Sequence, residues 1–298
     1  MPFAHAEMEL DNSLRATYSA CIGIDEALLD LKKMAGINTA VTAVGTGLGA
    51  GATVVGLIKE KKDKQADKIK LDKLEKIANW RLENNIKDPS DEEIAQFVAN
   101  MTLDSANNTN VETELSKLNK QSKKLGNWRT GLLAGNTVTN VAGAVIAGTN
   151  RVDGDLQSQI DNCKNSLKNL QSAIMQAKLN GEDINEAQTI YNTCNEFNYV
   201  DISKINKRAK GATISSIVGA TTGLTGTVTS AMANSDSVRN QGIGGTRTTK
   251  EKNLNTASNV LAGASTVASA TATVFNATQI KAIKDVANVA SKCSEVLK

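Results

Sequence analysis

Four uncharged tracts alternate with charged, helix-like sequence along this chain, at 34–58, 130–150, 211–235 and 253–280. Each is rich in Ala, Gly, Thr, Val, Ser and Asn and poor in Leu, Ile and Phe. Apolar and small residues recur in them at alternating spacings of four and three. The first tract gives Ile37, Val41, Val44, Leu48, Gly51, Val55 and Ile58. The third gives Ile214, Ile217, Thr221, Leu224, Val228 and Ala231, and the fourth gives Val260, Ala264, Val267, Thr271 and Val274. Outside the tracts, Leu156, Ile160, Cys163, Leu167, Leu170, Ile174 and Ala177 follow the same rule. A 3.5-residue repeat gathers such side chains on one seam of a helix, as in coiled coils. The expectation is an all-α, elongated antiparallel four-helix bundle with these seams buried. Small seam residues would bring the helix axes toward the short end of the usual ~8–10 Å.

Breaks in the pattern place the helix ends. Asn180-Gly181 separates Leu179 from Ile184, and Asp183 with Glu186 reads as a capping box for the next helix. Between the first two tracts, Ser90 is a good N-cap with Glu93 as its reciprocal partner. Ile94, Phe97 and Val98 then form a short amphipathic helix facing Trp80. The predicted long helices are roughly 11–75, 110–178, 185–233 and 250–296. Residues 1–10 are expected to be disordered, and the Gly-rich tip at 236–250 to be a flexible loop.

The chain also resembles itself. Tyr18-Ser-Ala-Cys21 recurs as Tyr191-Asn-Thr-Cys194, and Leu132-Leu-Ala-Gly135 as Val260-Leu-Ala-Gly263. Each half runs cysteine, tract, insertion, tract, cysteine. The reading is a tandem duplication of a long helical hairpin: a first hairpin at 11–179 with a helical cap insertion at 76–110, and a second at 183–298.

In that arrangement Cys21, Cys163, Cys194 and Cys293 fall near one end and are candidates for two disulfides. Four cysteines allow three pairings. Antiparallel neighbours favour Cys163–Cys194 with Cys21–Cys293, whereas the duplication favours Cys21–Cys163 with Cys194–Cys293. Disulfides imply an oxidising compartment. Ala4-His5-Ala6 has the small-x-small pattern of a signal-peptidase site with no apolar run before it, and reads either as a signal-peptide remnant or as an ordinary frayed terminus. The expected location is therefore periplasmic or secreted, or cytoplasmic if the cysteines are reduced.

Composition excludes several function classes. His5 is the only histidine, which removes histidine-based triads and His-ligated metal sites. The carboxylates lie on solvated helical stretches such as Asp25-Glu26 and Asp91-Glu92-Glu93. Val44-Gly-Thr-Gly-Leu-Gly-Ala-Gly51 looks superficially like a dinucleotide-binding turn, but it runs on into Lys59-Glu-Lys-Lys-Asp-Lys instead of a strand ending in an acidic residue. A net charge of +3, with acids mixed among the bases, lacks the footprint of a nucleic-acid binder. No catalytic residue, cofactor, metal or small-molecule substrate is expected.

The expectation for function is a non-enzymatic, exported helical bundle with a structural or interaction role at a cell envelope or in an extracellular assembly. It would contact a protein partner, or assemble with itself, through helical faces and tips. Trp80, Phe97 and Ile243 are the partner-contact candidates, and Trp80 and Phe97 merely build the cap if they pack on each other. The alternative is a pore-forming or translocator-like protein whose hairpins insert into membranes. The tracts have spanning length and small-xxx-small spacings at Gly45/Gly49 and Gly219/Gly223. Against insertion stand their many Thr and Gly residues and the asparagines Asn38, Asn136, Asn140 and Asn150.

Overall fold

The computed structural model describes residues 3–101, 110–239 and 246–298, with side chains from Met8 onward. It is all-α, and no strand occurs among the described residues. In chain order the helices are α1 (Phe3–Cys21), α2 (Ile24–Glu83), α3 (Asp91–Ala99), α4 (Val111–Thr149) and α5 (Gly154–Leu179). They continue with α6 (Asn185–Cys194), a 3-10 turn at Asn195–Tyr199, α7 (Ser203–Asn234), the single turn α8 (Asp236–Arg239) and α9 (Thr249–Leu297).

The predicted long helices are interrupted in three places. Gly23 takes φ +84°, a left-handed conformation that suits glycine, and splits α1 from α2. Asp153 starts α5 by accepting the Leu156 backbone N–H at 2.8 Å, so the second long helix breaks after Thr149. The third breaks where α6 gives way to the 3-10 turn, and α7 restarts with Asp201 accepting from the Ser203 N–H. The Ser203 side chain and then its backbone N–H, both hydrogen-bonded to Asp201, hold that carboxyl below its ordinary pKa.

Other local expectations meet mixed outcomes. Ser90 and Glu93 form the reciprocal capping box of α3. Asp183 does not form one with Glu186; it accepts from the Asn185 N–H, and Ile184 occupies the N-cap of α6 without a side-chain bond. Gly181, at φ +78°, makes the turn after α5. The N-terminal stretch expected to be disordered is helical from Phe3, because α1 continues upstream to Leu10, which is buried in the same core as α5. Part of the 236–250 tip is helical, as α8 and the start of α9.

The chain divides into two compact units. The first takes Met1–Ala43, Ala142–Ser216 and Ala270–Lys298; the second takes Val44–Val141 and Ile217–Ser269. Helices α2, α4, α7 and α9 each contribute a stretch to both.

The first unit has a conventional apolar core in which Ile24, Leu28, Ile160, Leu167, Leu170, Phe197, Ile205 and Ile283 are fully buried. The predicted seam from Leu156 to Ala177 is buried at every position. Both disulfides lie in this core, as Cys21–Cys163 with Cα atoms 4.8 Å apart and Cys194–Cys293 at 4.6 Å. The neighbour-based pairing is thereby corrected. Helix α1 packs along α5, which brings Cys21 against Cys163, and the pairing is the alternative that the sequence repeat favours.

Candidate functional site: a polar seam under an apolar surface

The tracts keep the predicted 3.5 repeat but bury the opposite chemistry. On α2 the buried positions are Ala35, Asn38, Thr42, Gly45, Gly49, Ala52 and Gly56. From Asn38 onward, each lies one residue after a member of the predicted seam. Ile37, Val44 and Ile58 point outward, and Val41, Leu48 and Val55 are half-buried. On α7 the buried residues are Ala212, Ser216, Gly219, Gly223, Gly226 and Ser230, whereas all six predicted seam residues from Ile214 to Ala231 are exposed. On α9, Val260, Ala264, Val267, Thr271 and Val274 are exposed, and Ala262, Ser265, Ser269, Ala272 and Asn276 are buried. On α4, Leu133, Asn136, Asn140, Gly143 and Ala147 face inward while Val138, Val141 and Val145 face outward. The sequence-based expectation of apolar interiors is therefore corrected: the tracts are inverted.

Hydrogen bonds pair many of the polar groups in this interior, while Asn38 Oδ1, Ser216 Oγ, Gln279 Oε1 and both amide atoms of Asn150 have no partner among the described residues. In the second unit, Asn136 Nδ2 donates to Ser265 Oγ at 2.7 Å, and Ser265 Oγ donates to the Gly219 carbonyl at 2.7 Å. Asn140 Nδ2 donates to Asn136 Oδ1 at 2.7 Å and to Ser269 Oγ at 2.8 Å. In the first unit, Asn38 Nδ2 donates to Asn276 Oδ1 at 2.9 Å, and Gln279 Nε2 to the Asn150 carbonyl at 2.9 Å. Glycine provides the room for these groups. A methyl on Gly219 would lie 2.6 Å from Asn140 Oδ1, and one on Gly143 would lie 2.8 Å from the Thr42 methyl. The apolar cluster at this level of the second unit is only Ala52, Leu133 and Ala262, with Leu132 packed against it.

Charge appears where the tracts stop, still in the second unit. Lys59, the first residue after the first tract, is buried with Asp63; its ammonium donates to Asp63 at 2.6 Å and to Asn255 Oδ1 at 3.1 Å. Asp63 also accepts from Ser122. Arg247 bonds Asp67 through Nε at 2.9 Å and lies 3.4 Å from both Glu60 and Asp63. Arg129, at the foot of the second tract, is buried and donates to the Asn255 carbonyl at 3.2 Å. Burial lowers the pKa of Lys59 despite Asp63 and brings that of Arg129 down to about 10 despite Glu60 and Asp63. For Arg247, burial is outweighed by the Asp67 hydrogen bond and the Asp63, Asp67 and Glu60 charges, so its pKa is raised. Burial, reinforced by Asp63, raises that of Glu251.

The remaining candidate residues have defined places. Trp80 and Phe97 stack with ring centroids 4.8 Å apart and an interplanar angle of 15°. Their contact links α2 to α3, and Phe97 packs on a cluster of Ala66, Met101, Val111, Leu115 and Leu118. They build the cap. Ile243 lies outside the described residues. Lys73 pairs with Glu112, tying the lysine-rich end of α2 to α4. No group of metal-ligating residues occurs among the described residues.

Sequence reasoning missed the asparagine and serine seam because it assigned the interior to the largest apolar residues. The usable signal was the small-xxx-small spacing. Gly45, Gly49, Gly219 and Gly223 all lie on the buried seam. No family model, curated protein or solved structure matches this chain.

Proposed function

We propose that this protein is a non-enzymatic, exported helical bundle whose tracts insert into a lipid bilayer and provide a pore-forming or translocator-like activity. The observation that carries the reading is the inversion of the tracts. Outward Val, Ile and Leu suit acyl chains, and inward Gly, Ser and Asn suit helix association in a medium that supplies no hydrogen bonds. In water the same surface is costly, because monomeric proteins rarely expose contiguous apolar area beyond a few hundred Å². Val138 is 68% exposed, Val267 67% and Val145 62%.

The composition argument against insertion loses force once the asparagines are placed. Asn38, Asn136, Asn140 and Asn150 are all buried, and the first three are hydrogen-bonded to neighbouring helices or to each other. Their polarity is spent inside the bundle and not on lipid. The helices that carry the first, second and fourth tracts are long and apolar enough to cross a membrane. Trp128 is exposed at the edge of the second tract, where an amphipathic aromatic ring favours the headgroup level. The two disulfides fit an oxidising compartment.

A pore would use the same seam. Gly45, Gly219 and Gly223 let helices approach closely, and a modest separation would present Asn, Ser and Thr to water. Flotation with liposomes tests insertion, and release of an entrapped dye tests the pore. The expected result is co-flotation that survives high salt, with leakage. Protein that stays in the aqueous fraction at every pH and lipid composition would remove the proposal and leave a structural role in an envelope or extracellular assembly.

A further inference from the structure

The second unit contains a cavity of about 540 Å³ lined by α2, α4, α8 and the start of α9. Its charges are unevenly matched. Among the lining cations, Lys73 is tied to Glu112, Lys123 to Asp236 and Arg247 to Asp67. Three cations on three different helices have no carboxylate within ion-pair distance among the described residues: Lys70, Lys120 and Arg239. Arg239 is held in place by neutral groups. Its guanidinium donates to Ser122 Oγ at 3.1 Å, to the Asn119 carbonyl at 3.2 Å and to Asn234 Oδ1 at 3.4 Å. It is thus positioned by neutral groups, with Glu251 and Asp236 acting on it electrostatically from beyond ion-pair distance.

We infer that this cavity binds a phosphate-type dianion, with Arg239 as the fixed anchor and Lys70 and Lys120 as flexible partners. Arginine presents a planar fork of donors to phosphate oxygens, and lysine adds a mobile point charge. Glu251 is the wall carboxylate without an ion pair among the described residues, and burial with Asp63 raises its pKa against the pull of Lys59, Arg239 and Arg247. The volume accommodates a phosphorylated small molecule or the headgroup of an anionic lipid. Membrane insertion is not required, because every residue that lines the cavity lies outside the four tracts.

Calorimetric titration of the full chain with pyrophosphate tests the site. Saturable binding near one-to-one is expected, weakening as salt rises. Lys120→Gln and Arg239→Gln should each reduce affinity about tenfold, the scale of one charge-assisted hydrogen bond. Lys68→Gln, an exposed lysine of the same α2 stretch outside the cavity, should leave affinity unchanged. Lys120 is exposed and has no ion-pair partner, so its variant keeps the test valid if Arg239→Gln folds poorly. Absence of binding, or equal affinity in the Lys120 and Lys68 variants, would overturn the inference. A second arm adds phosphatidate to phosphatidylcholine vesicles. Extra binding displaced by pyrophosphate identifies a lipid headgroup as the source, and no extra binding identifies a free phosphate.

Discussion

Replacing Asn140 with Ala is the sharpest test of the inverted interior. The side chain is fully buried and donates to Asn136 Oδ1 at 2.7 Å and to Ser269 Oγ at 2.8 Å, linking α4 internally and to α9. Truncation removes these bonds, together with the donation to the Asn136 carbonyl at 2.9 Å and the bond accepted from Ser269 Oγ at 3.0 Å, and leaves a void against Gly219, whose missing methyl would otherwise lie 2.6 Å from Asn140 Oδ1. At about 1 kcal/mol per lost hydrogen bond, with a further contribution from the void, the cost is about 2–3 kcal/mol. For a chain of this size that lowers Tm by about 5 °C or somewhat more. The matched change is Val138→Ala, two positions away on the outer face, where the cost should stay within about 0.5 kcal/mol. Thermal and denaturant melts of the full chain, in the same detergent or lipid, read both. If Val138→Ala costs more than Asn140→Ala, the apolar face is the packed one and the inversion is wrong.

Other consequences are equally direct. Gly211→Val should cost about 1–3 kcal/mol by overpacking, because even a methyl there would come within 2.8–2.9 Å of the Phe275 ring; Gly131→Ala, which meets nothing within 4 Å, should be neutral or slightly stabilising in the same melt. Non-reducing peptide mapping should recover Cys21–Cys163 and Cys194–Cys293, and replacing either pair with alanines should lower stability by about 2–4 kcal/mol. Glu251 has a raised pKa in the folded chain, so the folded state binds its proton more tightly. Its stabilising contribution is complete below the unfolded carboxyl value of about 4.3 and is lost as pH rises through the raised folded value. Glu251→Gln should therefore be more stable than the parent at neutral pH, with the difference closing toward pH 4; a difference independent of pH would contradict this.

Much of the architecture was legible in the sequence, and the limits are physical. The 3.5 repeat in the tracts identified helices and their spacing, because periodicity depends on backbone geometry and not on solvent. The Ser90–Glu93 box and the Asn180-Gly181 turn were readable from local chemistry. Phase was not. In Leu156–Ala177 the assumption that apolar means inside holds, since that segment packs a conventional core. In α2 the same assumption selects Ile37, Val41 and Val44 over Asn38, Thr42 and Gly45, one residue away, and so chooses the wrong face. The two faces lie one residue apart in phase, and residue type alone does not say which of them the helices bury. The charged cluster around Asp63 was hidden for a different reason. Arg247 and Glu251 are far in sequence from Lys59 and Asp63, and a lysine-rich run with interleaved acids reads as an ordinary solvated face.

The central claim is that the outward faces of the tracts meet lipid. A fluorophore attached at Val267→Cys in liposome-bound protein, exposed to a nitroxide-bearing lipid and separately to a water-soluble quencher, tests it most directly. The account predicts strong quenching by the lipid probe and shielding from the aqueous one, with the reverse for a label at Leu82, an exposed position near the end of α2. Equal aqueous access at both positions would contradict it.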